Sequence, residues 1–292
     1  MATLAVALDF GAYPMSETRE RAHVRTTPAV DFARHSLWAF HSWWRGILRR
    51  MRRIAYQTLW FDSLRSAVGR ARLHYFVRIR RQFRTMDSEQ AYATTVAHNV
   101  RGLTDHVTKR MQRLIQPLVS IETLNATSRI LIVGPRTESD LLMFRALGFD
   151  DVRGLDLISY SPWVDLGDMH RMPYADGTWD AVILAWCLTY SREPDVVARE
   201  VIRVAKPNAL IGVGLEYSTL TPADVRALIG YEITTEDGPP RANSVSDVLS
   251  LFGSSVDHVY FDHDAPRRRT HTRSGEIPDV SQVVVVFSIR KD

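Results

Sequence analysis

Ser128-Arg129-Ile130-Leu131-Ile132-Val133-Gly134-Pro135-Arg136-Thr137-Glu138-Ser139 is the stretch on which the fold turns. Five residues rich in β-formers end in a glycine–proline turn, and a helical stretch then runs from Ser139 to Leu147, where Gly148 stops it. The same texture repeats downstream. Val152–Leu157, Trp179–Trp186 and Ala209–Leu215 read as strands, and Pro194–Val204 reads as a helix. Strand–helix alternation predicts a parallel sheet with helices on its faces. Ligands of such sheets sit outside the carboxyl ends of the strands. That makes Gly134 and Pro135 candidates for close approach to a ligand, with the helix N-terminus beyond them offering N–H groups to an anion.

Asp156 closes the second strand, 22 positions after Gly134 (156 − 134). An acid at about that distance from a glycine turn accepts hydrogen bonds from ribose hydroxyls. A solvated strand-end charge is the alternative reading. Only eleven residues (157–167) separate Asp156 from Asp168, too few for a helix and a full strand, so the next strand is expected to be rudimentary or absent. Near the C-terminus, Val256–Phe261 and Val283–Phe287 read as strands that could pair antiparallel at the sheet edge. A basic, turn-prone segment containing Arg267, Arg268, Arg269 and Arg273 lies between them.

Gly167-Asp168-Met169-His170-Arg171-Met172-Pro173-Tyr174-Ala175-Asp176-Gly177-Thr178-Trp179-Asp180 is the most specific motif. It resembles the stretch of class I S-adenosylmethionine-dependent methyltransferases in which an Asp and the next backbone amide meet the adenine. Glu200-Val201-Ile202-Arg203-Val204-Ala205-Lys206-Pro207-Asn208-Ala209 is similar to the segment before that family's fifth strand. The resemblance covers about Ser128 to Glu216. It implies a Rossmann-like α/β sheet with a C-terminal antiparallel strand pair, and S-adenosylmethionine as cofactor with S-adenosylhomocysteine as product. By position it implies that Asp168 accepts from the adenine amino group and that Met169 presents its N–H. Asp156 would hold the ribose, with Leu157 beside it, and Trp186 at the end of the fourth strand completes the implied cofactor set.

One departure stands out. The family's Gly-x-Gly-x-Gly loop is here Gly134, Arg136 and Glu138. Asp156-Leu157-Ile158-Ser159-Tyr160-Ser161-Pro162 resembles a methyltransferase-like branch that carries this Gly-Pro-Arg-Thr-Glu loop. Arg136 either pairs with the carboxylate of the methionine moiety, as a guanidinium can do with two hydrogen bonds, or points to solvent. Candidates for orienting or deprotonating an acceptor are Glu216 and Tyr217 first, then Tyr190, Ser191 and His170. No His/Asp/Glu cluster has metal-ligand spacing, so no metal is expected.

The 292 residues divide, on this reading, into a flexible arm (1–30), a basic helical module (31–127) and the methyltransferase-like domain (128–292). Leu37, Phe40, Trp44, Ile47, Leu48, Met51 and Ile54 recur at helical spacing, as do Val96, Val100, Leu103, Val107, Met111 and Leu114. Twelve arginines lie between Arg45 and Arg84, with Asp62 the one acid there, although Lys plus Arg exceeds Asp plus Glu only by 37 to 33 overall. Interleaved aromatics make this an anionic-substrate site, an anionic membrane surface, a nucleic-acid surface, or a solvated face on helices that pack against the domain. The single cysteine, Cys187, sits in an apolar run and reads as a core residue; one cysteine forms no intrachain disulfide. The expectation is methyl transfer to a small-molecule or glycan acceptor, anionic in character, in the cytoplasm, with peripheral membrane contact and homo-oligomers open. A catalytically silent scaffold and a nucleic-acid methyltransferase are the alternatives.

Overall fold

The computed structural model describes residues 43–48, 50, 51, 53–86, 93–104, 109–191, 193–217, 227, 242–264, 268–272 and 275–291. The 1–30 arm, together with Leu37, Phe40 and Val107, lies outside them. Residues 43–48, 50, 51 and 53–57 are helical and lead through a short 3₁₀ turn into α1 (Asp62–His74). A single π-turn follows, then the short strand β1 (Arg84–Thr85). Helices α2 (Ala93–Arg101) and α3 (Lys109–Val119) complete the N-terminal part. The α/β part runs β2 (Arg129–Val133), α4 (Ser139–Ala146), β3 (Asp151–Asp156), β4 (Ile158–Ser159), β5 (Val164–Leu166), β6 (Trp179–Ala185), α5 (Pro194–Val204) and β7 (Ala205–Tyr217). Helix α6 (Val245–Phe252) and strands β8 (Val256–Asp264), β9 (Arg268–Thr272) and β10 (Gly275–Ile289) close it.

Among the described residues, seven strands form the main sheet in the order β5-β3-β2-β6-β7-β10-β8. The first five are parallel; β10 inserts antiparallel between β7 and β8. The expected parallel sheet with antiparallel C-terminal strands is present. β8, rather than the pair as a whole, is the edge. Part of the basic segment expected as a turn is strand β9, paired with β10.

Both faces of the sheet are covered, which is why its central strands read as unbroken apolar runs. Alternate residues, such as Ile130, Ile132, Ala181 and Ile183, pack under α4 and α3. Leu131, Val133, Val182 and Leu184 pack under α5 and α6. Tyr56, Leu59 and Val68 belong to the first of these cores, so the N-terminal helices complete one layer of the sandwich rather than enclosing a core of their own.

The short third strand is present: β5 is three residues long and pairs parallel with β3. No helix makes the crossover into it. β4 does, and it pairs antiparallel with β1, so N-terminal chain stands where a crossover helix would. Trp163, at the end of this link, has two guanidiniums against its ring: Arg72 lies 3.6 Å and Arg145 4.4 Å from its centroid.

Candidate cofactor and active site

The loop after β2 is held from three sides. Gly134 adopts φ +73°, and a Cβ there would lie 2.6 Å from Cys187 Cβ, so both conformation and space require glycine. Pro135 has no N–H to leave unsatisfied, and its ring rests on Gly154, where a Cβ would approach it to 2.8 Å. Arg136 sits at φ +54°, the left-handed region that favours glycine, and here a long side chain occupies it.

The backbone donors of the loop are consumed internally. Gly134 donates to Leu155 O at 2.8 Å, Arg136 to Asp156 Oδ2 at 2.8 Å, Thr137 to Pro135 O, and Glu138 to the Tyr160 hydroxyl at 3.0 Å. Ser139 N–H turns to Thr137 Oγ1. The N–H groups of the loop from Gly134 to Glu138 that precede this helix are thus turned to protein oxygens.

Glu138 is a correction: it does not line the cavity but is fully buried beneath it. Its carboxylate accepts from Arg72 Nε at 2.6 Å and Nη2 at 3.0 Å, and from the Ser161 hydroxyl. A charged residue replaces a glycine here because α1 supplies a buried guanidinium to meet it.

A cleft opens at the carboxyl ends of β2, β3 and β6, with about 1030 Å³ of unfilled space including its solvent mouth. Gly134, Pro135, Arg136, Asp156, Leu157, Asp168, Met169 and Trp186 line it, as do His170 and Tyr190. Glu216 and Tyr217, the first acceptor-side candidates, do not. Trp186 folds back at φ +56° and its ring lies on Gly214, where a Cβ would meet ring carbons at 2.8 Å. The indole is part of the cleft lining, whereas Glu216 is exposed and outside it.

Thr95 and Asn99 of α2 and Met111 of α3 also line the cleft and roof it. The sequence shows α2 and α3 as helices but gives no sign of which residues face a ligand. Asn99 Nδ2 donates to Asp156 Oδ1 at 2.9 Å, and Ile158 N–H donates to the same oxygen at 3.2 Å. With Arg136 N–H on Oδ2, three of the roughly four acceptor positions of a carboxylate are engaged by protein, leaving one open to a further donor. Burial raises the Asp156 pKa above the ordinary aspartate value, and the three hydrogen bonds and Arg136 oppose that rise.

Arg136 Nη2 meets His98 Nε2 at 2.9 Å, and the His98 ring stacks on Tyr190 with centroids 5.9 Å apart. At the Asp168 end of the cleft, His170 Nδ1 meets Asp168 Oδ1 at 2.6 Å and His170 Nε2 meets Ser191 Oγ at 2.8 Å. The His170 N–H also donates to Asp168 Oδ1, fixing the turn. Cys187 donates to Val133 O at 3.3 Å; burial first, then the Asp156 charge, push its thiol up to about 12, so it is a neutral thiol at the cleft wall.

Residues 149–213 match the family model described as a methyltransferase domain. Norajmaline N-methyltransferase of Rauvolfia serpentina is 35% identical over 60 residues, 20% of this chain and 20% of that protein, so the chain spans about a fifth of the length of this curated relative. A SAM-dependent methyltransferase from Methanosarcina mazei superposes over 60% of this chain and 98% of its own, at TM-score 0.43 and 15% identity. The YcgJ protein of Bacillus subtilis does so over 62% and 99%, at TM-score 0.47 and 13% identity. The matched segment runs from the start of β3 into β7 of a sheet with the order described above, so this part of the chain is similar to a methyltransferase domain.

Proposed function

We propose that the chain binds S-adenosylmethionine in the cleft at the ends of β2, β3 and β6 and transfers its methyl group to an anionic small-molecule or glycan acceptor. The observation that carries this reading is the convergence of Gly134, Asp156, Asp168, Met169 and Trp186 on one cleft, although up to 52 positions (186 − 134) separate them. Asp156 accepts from the ribose through its remaining acceptor position, and Asn99 holds that carboxylate in place. Asp168 and the Met169 N–H meet the adenine edge. Because the loop N–H groups are engaged, the carboxylate of the methionine moiety falls to the Arg136 guanidinium, which keeps donors beyond the one facing His98.

Bound there, the cofactor supplies a sulfonium-activated methyl group. The chain's remaining tasks are to align the acceptor and to receive its proton where the acceptor carries one. Tyr190 and His170 line the cleft, which supports them as the candidates for this. Arg78, Arg80, Arg81 and Arg84 are exposed, and the strand that Arg84 opens pairs alongside Ile158 and Ser159, next to the cleft residue Leu157. This positive approach supports an anionic acceptor.

Calorimetric titration of the full chain with S-adenosylmethionine and S-adenosylhomocysteine tests the reading. Micromolar binding at one site per chain is expected. A folded protein that binds neither would sink the enzymatic reading and leave a scaffold on a methyltransferase fold.

A further inference from the structure

The helical residues before α1 expose an apolar stripe. At the α-helical turn angle, Trp43, Trp44, Leu48, Met51 and Ile54 fall within about 140° of one another. All five are exposed, Met51 by 61% and Ile54 by 63%. Trp60 and Phe61, one turn on, are exposed as well, Phe61 by 67%. Large apolar side chains at such exposure in one contiguous stripe are unusual on a monomer surface and mark a contact site. The buried side of the same segment is satisfied: Tyr56 and Leu59 are in the core, and the Tyr56 ring meets Arg145 at 5.9 Å.

The flanks of the stripe are cationic. Arg45, Arg50 and Arg53 are exposed and project outside the apolar arc. From Trp43 to Arg84 the one acid is Asp62, which already pairs with Arg65. We propose that this face docks the protein on an anionic lipid bilayer, with Leu48, Met51 and Ile54 seated among acyl chains, Trp43 and Trp44 at the headgroup level, and the arginines against lipid phosphates. The arginines border the aliphatic stripe instead of alternating with it, which matches a phosphate layer lying over an apolar slab. A nucleic acid offers the phosphates but no slab for Met51 and Ile54. A second copy of this chain would bring its own arginines against these. No described helix is long and apolar enough to cross a membrane, so the contact is one of lying on the surface. This inference is independent of methyl transfer.

The test uses the full chain and sedimentation with vesicles of phosphatidylcholine alone or with about 30% phosphatidylglycerol, at low and high salt. Two variants accompany it: Met51→Ser with Ile54→Ser, and Arg50→Gln with Arg53→Gln. All four side chains are exposed, so both variants should unfold at the wild-type urea midpoint. The expected result is binding to the anionic vesicles that salt weakens, reduced about tenfold or more by either variant. Three results would each overturn the proposal. The wild type could stay in the supernatant with anionic vesicles. Both variants could bind as the wild type does. A duplex oligonucleotide, or self-association, could be lost in the variants while vesicle binding is absent.

Discussion

Removing the Arg72 guanidinium is the most informative perturbation of this fold. Arg72 and Glu138 have side chains 1% and 0% exposed. The carboxylate is held by two guanidinium nitrogens and the Ser161 hydroxyl. Arg72→Met leaves the carboxylate in the core with the hydroxyl alone. Breaking a buried pair from one side costs about 3–5 kcal/mol, because the remaining charge is uncompensated. Loss of the guanidinium from the Trp163 face, 3.6 Å away, adds roughly 0.5–2 kcal/mol. Glu138→Gln strands the guanidinium and costs a similar 3–5 kcal/mol. In the double variant neither ion remains, so its loss should be no larger than about that of one single variant, where simple addition would give roughly 6–10 kcal/mol. Urea unfolding followed by tryptophan fluorescence measures all three. Single losses below about 1 kcal/mol, or losses that simply add, would refute the view that this pair compensates for the missing glycine.

Three further outcomes follow from the cleft. Asp156→Ala should weaken S-adenosylmethionine binding by about 1–3 kcal/mol by calorimetry, and unchanged affinity would remove Asp156 from the ribose site. Arg136→Ala should reduce affinity for S-adenosylmethionine far more than for 5′-methylthioadenosine, which lacks the carboxylate; equal losses would argue against that pairing. Burial raises the Asp156 pKa, so the native state holds this proton at a pH where the unfolded chain has released it. Stability contributed by this group is therefore present below the unfolded value and falls as pH rises between the unfolded and folded values. Hydroxyl donors of a ligand favour the ionised form, so cofactor affinity should fall as pH drops through the raised value, and Asp156→Asn should flatten that dependence.

The strands were legible because the sheet is buried on both faces, which leaves runs such as Ile130–Val133 and Ala181–Ala185 without polar interruption. The eleven residues between Asp156 and Asp168 correctly foretold a stunted third strand. Glu138 misled, because a glutamate in a glycine's place reads as a ligand contact or a surface charge until its partner, 66 positions away, is placed. Asn99 and Met111 were invisible for the same reason: periodicity gives a helix but not the depth at which each residue docks. Glu216 and Tyr217 lie outside the cleft lining: the strand-end rule points past β7, whereas the lining stops at Trp186 and Tyr190 after β6, with the Trp186 ring on Gly214.

The pairing of β1 with β4 and of Arg72 with Glu138 bears on inheritance as well as on stability. An early segment of the chain finishes one wall of a domain whose paired residues are encoded 66 (138 − 72) to 75 (159 − 84) codons later. A gene fragment beginning near Ser128 would lack the counter-charge for its own loop. Grafting these helices onto a relative with a glycine loop would bury an arginine against nothing. Loop and helix are thus energetically one unit: either charge, changed alone, leaves the other buried without its partner.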